Sequence, residues 1–124
     1  MDKSIAIIVP CFNEEDRLPI EYWKEIVRTE NEIKWLFVDD GSSDRTFEIL
    51  QELCFGTSSR AIKRFKNGGK GKAIRQGLLE MLENHPGLEF LGYLDSDGAF
   101  SIEDVFRLVK ISIDRARNLS AEKI

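Results

Sequence analysis

Four short apolar runs in this chain, at residues 4–10, 33–38, 59–67 and 88–95, are each followed by a stretch whose apolar residues recur every three or four positions. An extended chain turns alternate side chains to opposite faces, whereas a helix repeats about every 3.6 residues, so the two patterns mark different elements. "SIAIIVP", a β-branched run stopped by Pro10, reads as a strand buried on both faces. Leu18, Tyr22, Trp23, Ile26 and Val27 then share one side of a helix from Leu18 to about Thr29. "IKWLFVDDGSSD" gives a second strand closed by a polar turn. The helix after it, from about Asp44 to Leu53, presents Phe47, Leu50 and Leu53 on one face, with Ser43 or Asp44 as its N-cap. "SRAIKRFKN" carries enough charge to predict a strand at a sheet edge. Ile74, Leu78, Leu79 and Leu82 lie in helical register in "KGKAIRQGLLEMLEN", which "HPG" ends, and "LEFLGYLD" reads as a fourth strand. Ser101 and Asp104 form a Ser-x-x-Asp cap ahead of Val105, Phe106, Leu108, Val109 and Ile113, a last amphipathic helix. The order βαβαβαβα with short connections predicts an α/β fold, a mostly parallel sheet with right-handed crossovers and helices on both faces.

A chain of 124 residues amounts to one domain, with about two-thirds of its unfolded surface expected to be buried. Nothing in its formal charge of −4 suggests a nucleic-acid binder or a membrane-surface protein. The charge is uneven, since seven Lys or Arg and no acid lie between Arg60 and Leu79; this fits a local anion site or a solvated basic face. Cys11 and Cys54 are too few for a disulfide framework and have no zinc-ligand spacing, so they read as reduced intracellular thiols. The run "IAIIV" is too short to span a bilayer, and Asp2 and Lys3 precede no signal-type segment. A cytoplasmic chain without a transmembrane segment is the expectation.

In parallel α/β sheets ligands bind outside the carboxyl ends of the strands, near the point where strand order reverses. Three polar turns fall on that rim: "PCFNEE" after the first strand, "DDGSSD" after the second and "DSDG" after the fourth. Asp39 and Asp40 suit either a turn that bonds backbone N–H groups or an acceptor for a nucleobase N–H. Asn13 and Glu14 could equally cap the first helix. No Gly-x-Gly-x-x-Gly follows the first strand, which argues against a nicotinamide or flavin dinucleotide. "GGKGKA" is too short for a Walker A loop; it is either a basic turn at a helix start or a contact to a diphosphate through Lys70, Lys72 or backbone N–H groups. Asp95 and Asp97 would point the same way from an extended chain. At about 5 Å and an effective dielectric of about 20 they would repel by roughly 3 kcal/mol, so a compensating charge is expected. A hard divalent cation, Mg2+ or Mn2+, suits them, because it takes one or two carboxylates together with substrate phosphates and water. The other reading is a turn that happens to carry two acids. His85 reads as an exposed turn residue, and Trp23 and Trp35 as core.

In this order and spacing, "IIVPCFNEE", "FVDDGSSDRT", "NGGKGKAIRQG" and "YLDSDGAF" resemble the nucleotide-sugar-binding half of inverting family 2 glycosyltransferases with the GT-A fold. The third and fourth blocks look most like the branch that moves a sugar to polyprenyl or dolichyl phosphate, and the four together extend over residues 7–100. The resemblance implies a Rossmann-like nucleotide-binding half in which Pro10, Phe12 and Glu14 line the nucleoside pocket. It implies that Asp39 contacts the base with Asp40 beside it, and that Lys72 lies toward the nucleotide. Asp95 and Asp97 match the Asp-x-Asp motif, which serves ribose and the Mg2+ or Mn2+ that bridges the diphosphate, with Asp97 as the direct ligand. Phe12 stands where a tyrosine is common and keeps an aromatic wall. The implied reaction displaces a nucleoside diphosphate from C1 of an activated sugar, with inversion, by an oxygen of a polyprenyl phosphate or a saccharide. The implied location is cytoplasmic and peripheral to a membrane.

Members of that family continue well past the Asp-x-Asp turn with elements that bind the acceptor and supply the catalytic base, and this chain stops soon after it. The expectation is therefore a single nucleotide-sugar-binding domain over residues 1–124 that ends before the acceptor half, with no residue assignable as the base. A module that holds a nucleotide-sugar without transferring it is the alternative. A phosphoacceptor receiver domain shares the length and the alternation, but its acidic pair follows the first strand rather than the second. An uncovered outer edge on the fourth strand and one bare face on the last helix predict self-association into a homo-oligomer.

Overall fold

In a computed structural model, which describes residues 4–29 and 32–122, the alternation becomes β1 (Ile5–Cys11), α1 (Ile20–Arg28), β2 (Ile33–Asp39), α2 (Thr46–Cys54), β3 (Arg60–Lys63), α3 (Lys70–Asn84), β4 (Phe90–Tyr93) and α4 (Ile102–Glu122). Asp2 and Lys3, read above as preceding no signal segment, lie outside the described residues. Each strand pairs in parallel with its neighbours in the order β3-β2-β1-β4, so the direction of winding reverses between β1 and β4.

Period two in β1 and β2 divides the core into two layers. Ile5, Val9, Ile33, Trp35 and Phe37 face one way and pack with Trp23 and Ile26 of α1, Leu50 and Leu53 of α2, and Val105 and Ile113 of α4. Ala6, Ile8, Leu36 and Val38 face the other way and pack with Ala73 and Met81 of α3. Right-handed crossovers require this division, because the connection from β3 back to β4 runs opposite to the first two and must cross the other face. Trp23 and Trp35 are core, as expected, and β3 is an edge strand.

Pro10 does not stop β1, which runs on to Cys11. Ile8 O accepts from Leu94 N at 2.9 Å and Cys11 O from Asp40 N at 2.9 Å, so even-numbered groups of β1 face β4 and odd-numbered ones face β2. β4 pairs with β1 only as far as Tyr93, opposite Ile8. The N–H that proline lacks would therefore have faced no strand, and its loss costs the sheet nothing.

β4 is an edge strand: Phe90 to Gly92 are half-buried and Tyr93 is 58% exposed, because β1 is its one sheet neighbour among the described residues. Two other expectations are corrected. The buried seam of α3 is Ala73, Gly77 and Met81, while Leu79 and Leu82 face solvent. Closeness rather than side-chain size selects that seam. A Cβ at Gly77 would lie 2.7 Å from Ile8 Cγ2 and 3.1 Å from Val38 Cγ2, so the bare backbone lets α3 settle onto β1 and β2. Gly77→Val is accordingly expected to cost about 3 kcal/mol, the upper end of the overpacking range; an unchanged urea midpoint would contradict the close approach. His85, at the end of α3, is half-buried, and its Nε2 accepts from the Lys34 ammonium at 3.1 Å.

The caps follow the sequence with one shift. Asp104 N donates to Ser101 Oγ at 3.1 Å and starts α4 as expected. α2 begins at Thr46, whose N–H donates to Asp44 Oδ1 at 2.9 Å, so the cap acts from two residues back. Among the described residues no helix is long and apolar enough to cross a membrane.

Candidate functional site

The turns that follow β1 and β2 are stitched to each other before they meet any ligand. Asn13 adopts φ +49°, a region asparagine tolerates better than most residues. Its N–H donates to Ser42 Oγ at 2.8 Å, and its Oδ1 accepts from Ser43 N at 3.0 Å. Glu14 N donates to Thr46 Oγ1 at 2.8 Å, which aims the Glu14 side chain across the rim toward β4. Asp39 is fully buried, and its two oxygens accept from the hydroxyl and N–H of Ser42.

Asp40 is also buried but faces the basic segment. Gly68 N and Gly69 N donate to its carboxylate at 3.1 and 2.8 Å, and Asn67 Nδ2 at 3.2 Å. Arg64 Nε lies 2.9 Å from Asp40 Oδ1 as a charge contact without an aligned N–H. Gly41, at φ +74°, passes directly under this segment: a Cβ there would come within 2.6 Å of Asn67 N. The segment from 64 to 69 is thus clasped over the end of β2, and α3 begins immediately beyond it at Lys70.

Between these turns and residues 95–97 lies an open cavity of about 430 Å³. Pro10, Phe12, Glu14, Asp40, Asp95 and Asp97, all singled out from the sequence, line it together. Two other sequence-derived candidates stand elsewhere: Asp39 is buried against Ser42, and Lys72 is exposed on α3. Lys70 reaches the cavity wall instead and forms an ion pair with Asp95. Its ammonium also lies 5.6 Å from the centre of the Tyr93 ring, and the Asp95 carboxylate holds it protonated above the usual lysine range. The charge that pairs with Asp95 in this structure is therefore a lysine.

Asp97 is exposed and turns one oxygen back to accept from Ala99 N at 3.1 Å. Burial, helped by the Asp97 charge, raises the nearby Tyr22 hydroxyl above its ordinary value. Between the two aspartates Ser96 points inward: its Oγ donates to Glu14 Oε1 at 2.9 Å, and its carbonyl accepts from Trp23 Nε1 at 2.9 Å. The sequence singled out the aspartates and missed the serine, although alternation in "DSD" places its middle residue opposite the flanking pair. Arg64 and Asn67 were missed as well. The Cys11 thiol is pushed far up by burial, with Glu14 and Asp39 adding to it, and burial pushes Cys54 up to about 12, so neither thiol is a nucleophile near neutral pH.

Among the described residues no group of three or more His, Cys, Asp or Glu could hold a metal ion unaided. Two exposed carboxylates beside an open cavity do fit a hard cation that completes its shell with phosphate oxygens and water. The opposite wall carries Lys70 and the N-terminus of α3, which favour an anion. The cavity can thus take a ligand that is itself charged in two senses, an anion accompanied by a cation.

Comparison with known proteins bears on that arrangement. The family described as Glycosyl transferase family 2 matches residues 6–118. Human dolichyl-phosphate beta-glucosyltransferase is similar to this chain, with 34% identity over 119 residues that cover 87% of this chain and 35% of that protein. The Saccharomyces cerevisiae protein of the same name is 32% identical over 117 residues, covering 85% of this chain and 33% of its own length. The chain spans about a third of the length of these relatives. Among solved structures, S. aureus TarS superposes with a TM-score of 0.59 at 27% identity, covering 78% of this chain and 17% of that one. The Rossmann-like α/β architecture expected of a GT-A half is the one observed.

Proposed function

We propose, from the premise that this chain belongs to glycosyl transferase family 2, that its rim cavity holds the nucleoside diphosphate of an activated sugar together with Mg2+ or Mn2+. The observation that carries this reading is the meeting of Asp95 and Asp97 with Lys70 and the start of α3 across one cavity. A diphosphate with its cation satisfies both walls at once, which neither an anion nor a cation alone would do.

Phe12, 40% exposed beside Pro10, offers the base an aromatic wall. Glu14, oriented by Ser96 and Thr46, faces the nucleoside. Asp39 serves base recognition through the turn it holds, since its hydrogen bonds to Ser42 fix the residue that orients Asn13. Asp40 fixes the segment leading to α3, and Lys72, two positions into that helix, adds to its positive end. Asp97 with Asp95 would hold the cation, which when bound withdraws charge from the leaving diphosphate as a Lewis acid.

The reaction is transfer of the sugar from C1 to an acceptor oxygen with inversion. The names of the relatives, which act on dolichyl phosphate, support a polyprenyl phosphate as the acceptor rather than a saccharide. Because the acceptor in those names is a lipid phosphate, they also support a cytoplasmic placement peripheral to a membrane. The outer edge of β4, which pairs with no strand among the described residues, supports association between copies of the chain.

A thermal-shift series with UDP, GDP, CDP and dTDP, each with Mn2+, Mg2+ or chelator, tests the reading. A ligand at about 100 times its dissociation constant adds about 2.7 kcal/mol, or several degrees for a domain of this size. Asp97→Ala is expected to remove the metal-dependent part of that shift; an undiminished Mn2+-dependent affinity would count against the site. Release or transfer of sugar in the presence of metal marks the enzyme, and saturable binding with neither marks a holding module.

A further inference from the structure

Lys70 and Asp95 form a bridge across the cavity, one from the start of α3 and the other from just beyond β4, and this bridge occupies a carboxylate that the proposed cation needs. We infer that Lys70 is a resident counter-ion of Asp95 that the divalent cation must displace, and that the freed ammonium then pairs with the incoming diphosphate. The inference rests on the nucleotide-diphosphate reading above and adds an exchange of partners to it.

Three observations carry it. Both side chains are about half exposed, at 54% for Lys70 and 57% for Asp95, so the pair can open without unpacking the core. The base of Lys70 is fixed, because the two residues before it, Gly68 and Gly69, give their N–H groups to buried Asp40. A fixed base with a long flexible stem swings its charge over a short arc, from the carboxylate to any anion lying between α3 and the rim. Among the described residues no lysine forms an ion pair with Asp97: one oxygen accepts from Ala99 N, and the side chain is exposed. The two aspartates therefore differ, with Asp97 open to a cation and Asp95 held by Lys70 until it is released.

The exchange makes metal and nucleotide interdependent. Metal alone must compete with an ammonium for Asp95 and binds weakly. Metal arriving with a diphosphate gives that ammonium a better partner, because an exposed lysine–carboxylate pair is worth little and a bond to a multiply charged phosphate is worth more.

The test is to measure binding of Mn2+ alone, from the free-ion electron paramagnetic resonance signal, and binding of Mn2+ with UDP or GDP, for the unmodified chain and its variants at constant ionic strength. Lys70→Gln is expected to tighten Mn2+ alone by about two- to five-fold, the range of an exposed ion pair, while weakening the nucleoside diphosphate with Mn2+ by about tenfold or more. Lys72→Gln removes the same charge close by and controls for the general field; it should tighten Mn2+ clearly less. In an Asp95→Asn background the tightening by Lys70→Gln should disappear, because the competed group is gone. The inference is overturned if Lys70→Gln leaves Mn2+ affinity unchanged, if Lys72→Gln matches it, or if the tightening survives in Asp95→Asn. Absence of any Mn2+-dependent nucleotide binding in the unmodified chain would overturn the underlying reading itself, a result distinct from these.

Discussion

Asp40→Ala is expected to lower stability by about 3 kcal/mol and to free the segment from 64 to 69 from the sheet. Removing one partner of a buried ion pair costs about 3–5 kcal/mol, because the other charge stays buried without compensation. The lower end applies here, since Arg64 keeps the Lys72 carbonyl at 3.0 Å and the Gln76 side chain at 3.1 Å as partners for its Nη1. The N–H groups of Gly68 and Gly69 also lose their acceptor. Urea unfolding reads the first effect, and amide hydrogen exchange at Gly68 and Gly69 reads the second. Metal-dependent nucleotide binding should fall as well, because the segment that fixes the base of Lys70 is no longer held. A loss below about 1 kcal/mol, with exchange at both glycines unchanged, would show that other contacts secure the segment.

That prediction also marks where sequence reading reaches its limit. The alternation of strands and helices was legible because it is local: a period of two in β1 and β2 divided the core into its two layers, and the three polar turns fell on one rim. The role of Asp40 was not legible, because its partners, Arg64 and residues 67 to 69, lie 24 to 29 residues away and nothing near it in the chain points to them. Both Lys70 and Lys72 were candidates, and which of them lines the cavity was not legible for another reason. Two positions on a helix differ by about 200° around its axis, so of these two lysines one faces the cavity, and which one depends on how α3 is rotated. That rotation is set by Ala73, Gly77 and Met81, the seam that the larger leucines obscured. The carboxylate pair was read as needing a compensating charge, for which a divalent cation was expected; the ammonium that meets Asp95 comes from a residue some 25 positions earlier, a pairing that composition cannot reveal.

Trp23→Ala is expected to cost about 3–5 kcal/mol, the range for truncating a large buried aromatic residue. Trp23 is fully buried and meets Tyr22, Trp35 and Phe37 edge to face with ring centroids 5.0, 5.6 and 5.2 Å apart, so its loss opens the layer between α1 and the sheet. The same side chain reaches the site, because its Nε1 donates to the carbonyl of Ser96, the residue between the two rim aspartates. Trp23→Phe separates the two roles. Phenylalanine keeps much of the apolar packing but leaves the Ser96 carbonyl without its donor, a loss of about 1–3 kcal/mol felt first by the turn that carries Asp95 and Asp97. Metal-dependent nucleotide binding should therefore fall in Trp23→Phe by more than its stability loss accounts for, read as affinity at a temperature where the variant is still fully folded. If the affinity matches that of the unmodified chain there, the turn is positioned by Ser96 Oγ and Glu14 instead, and the route from core to site runs through β1 rather than α1.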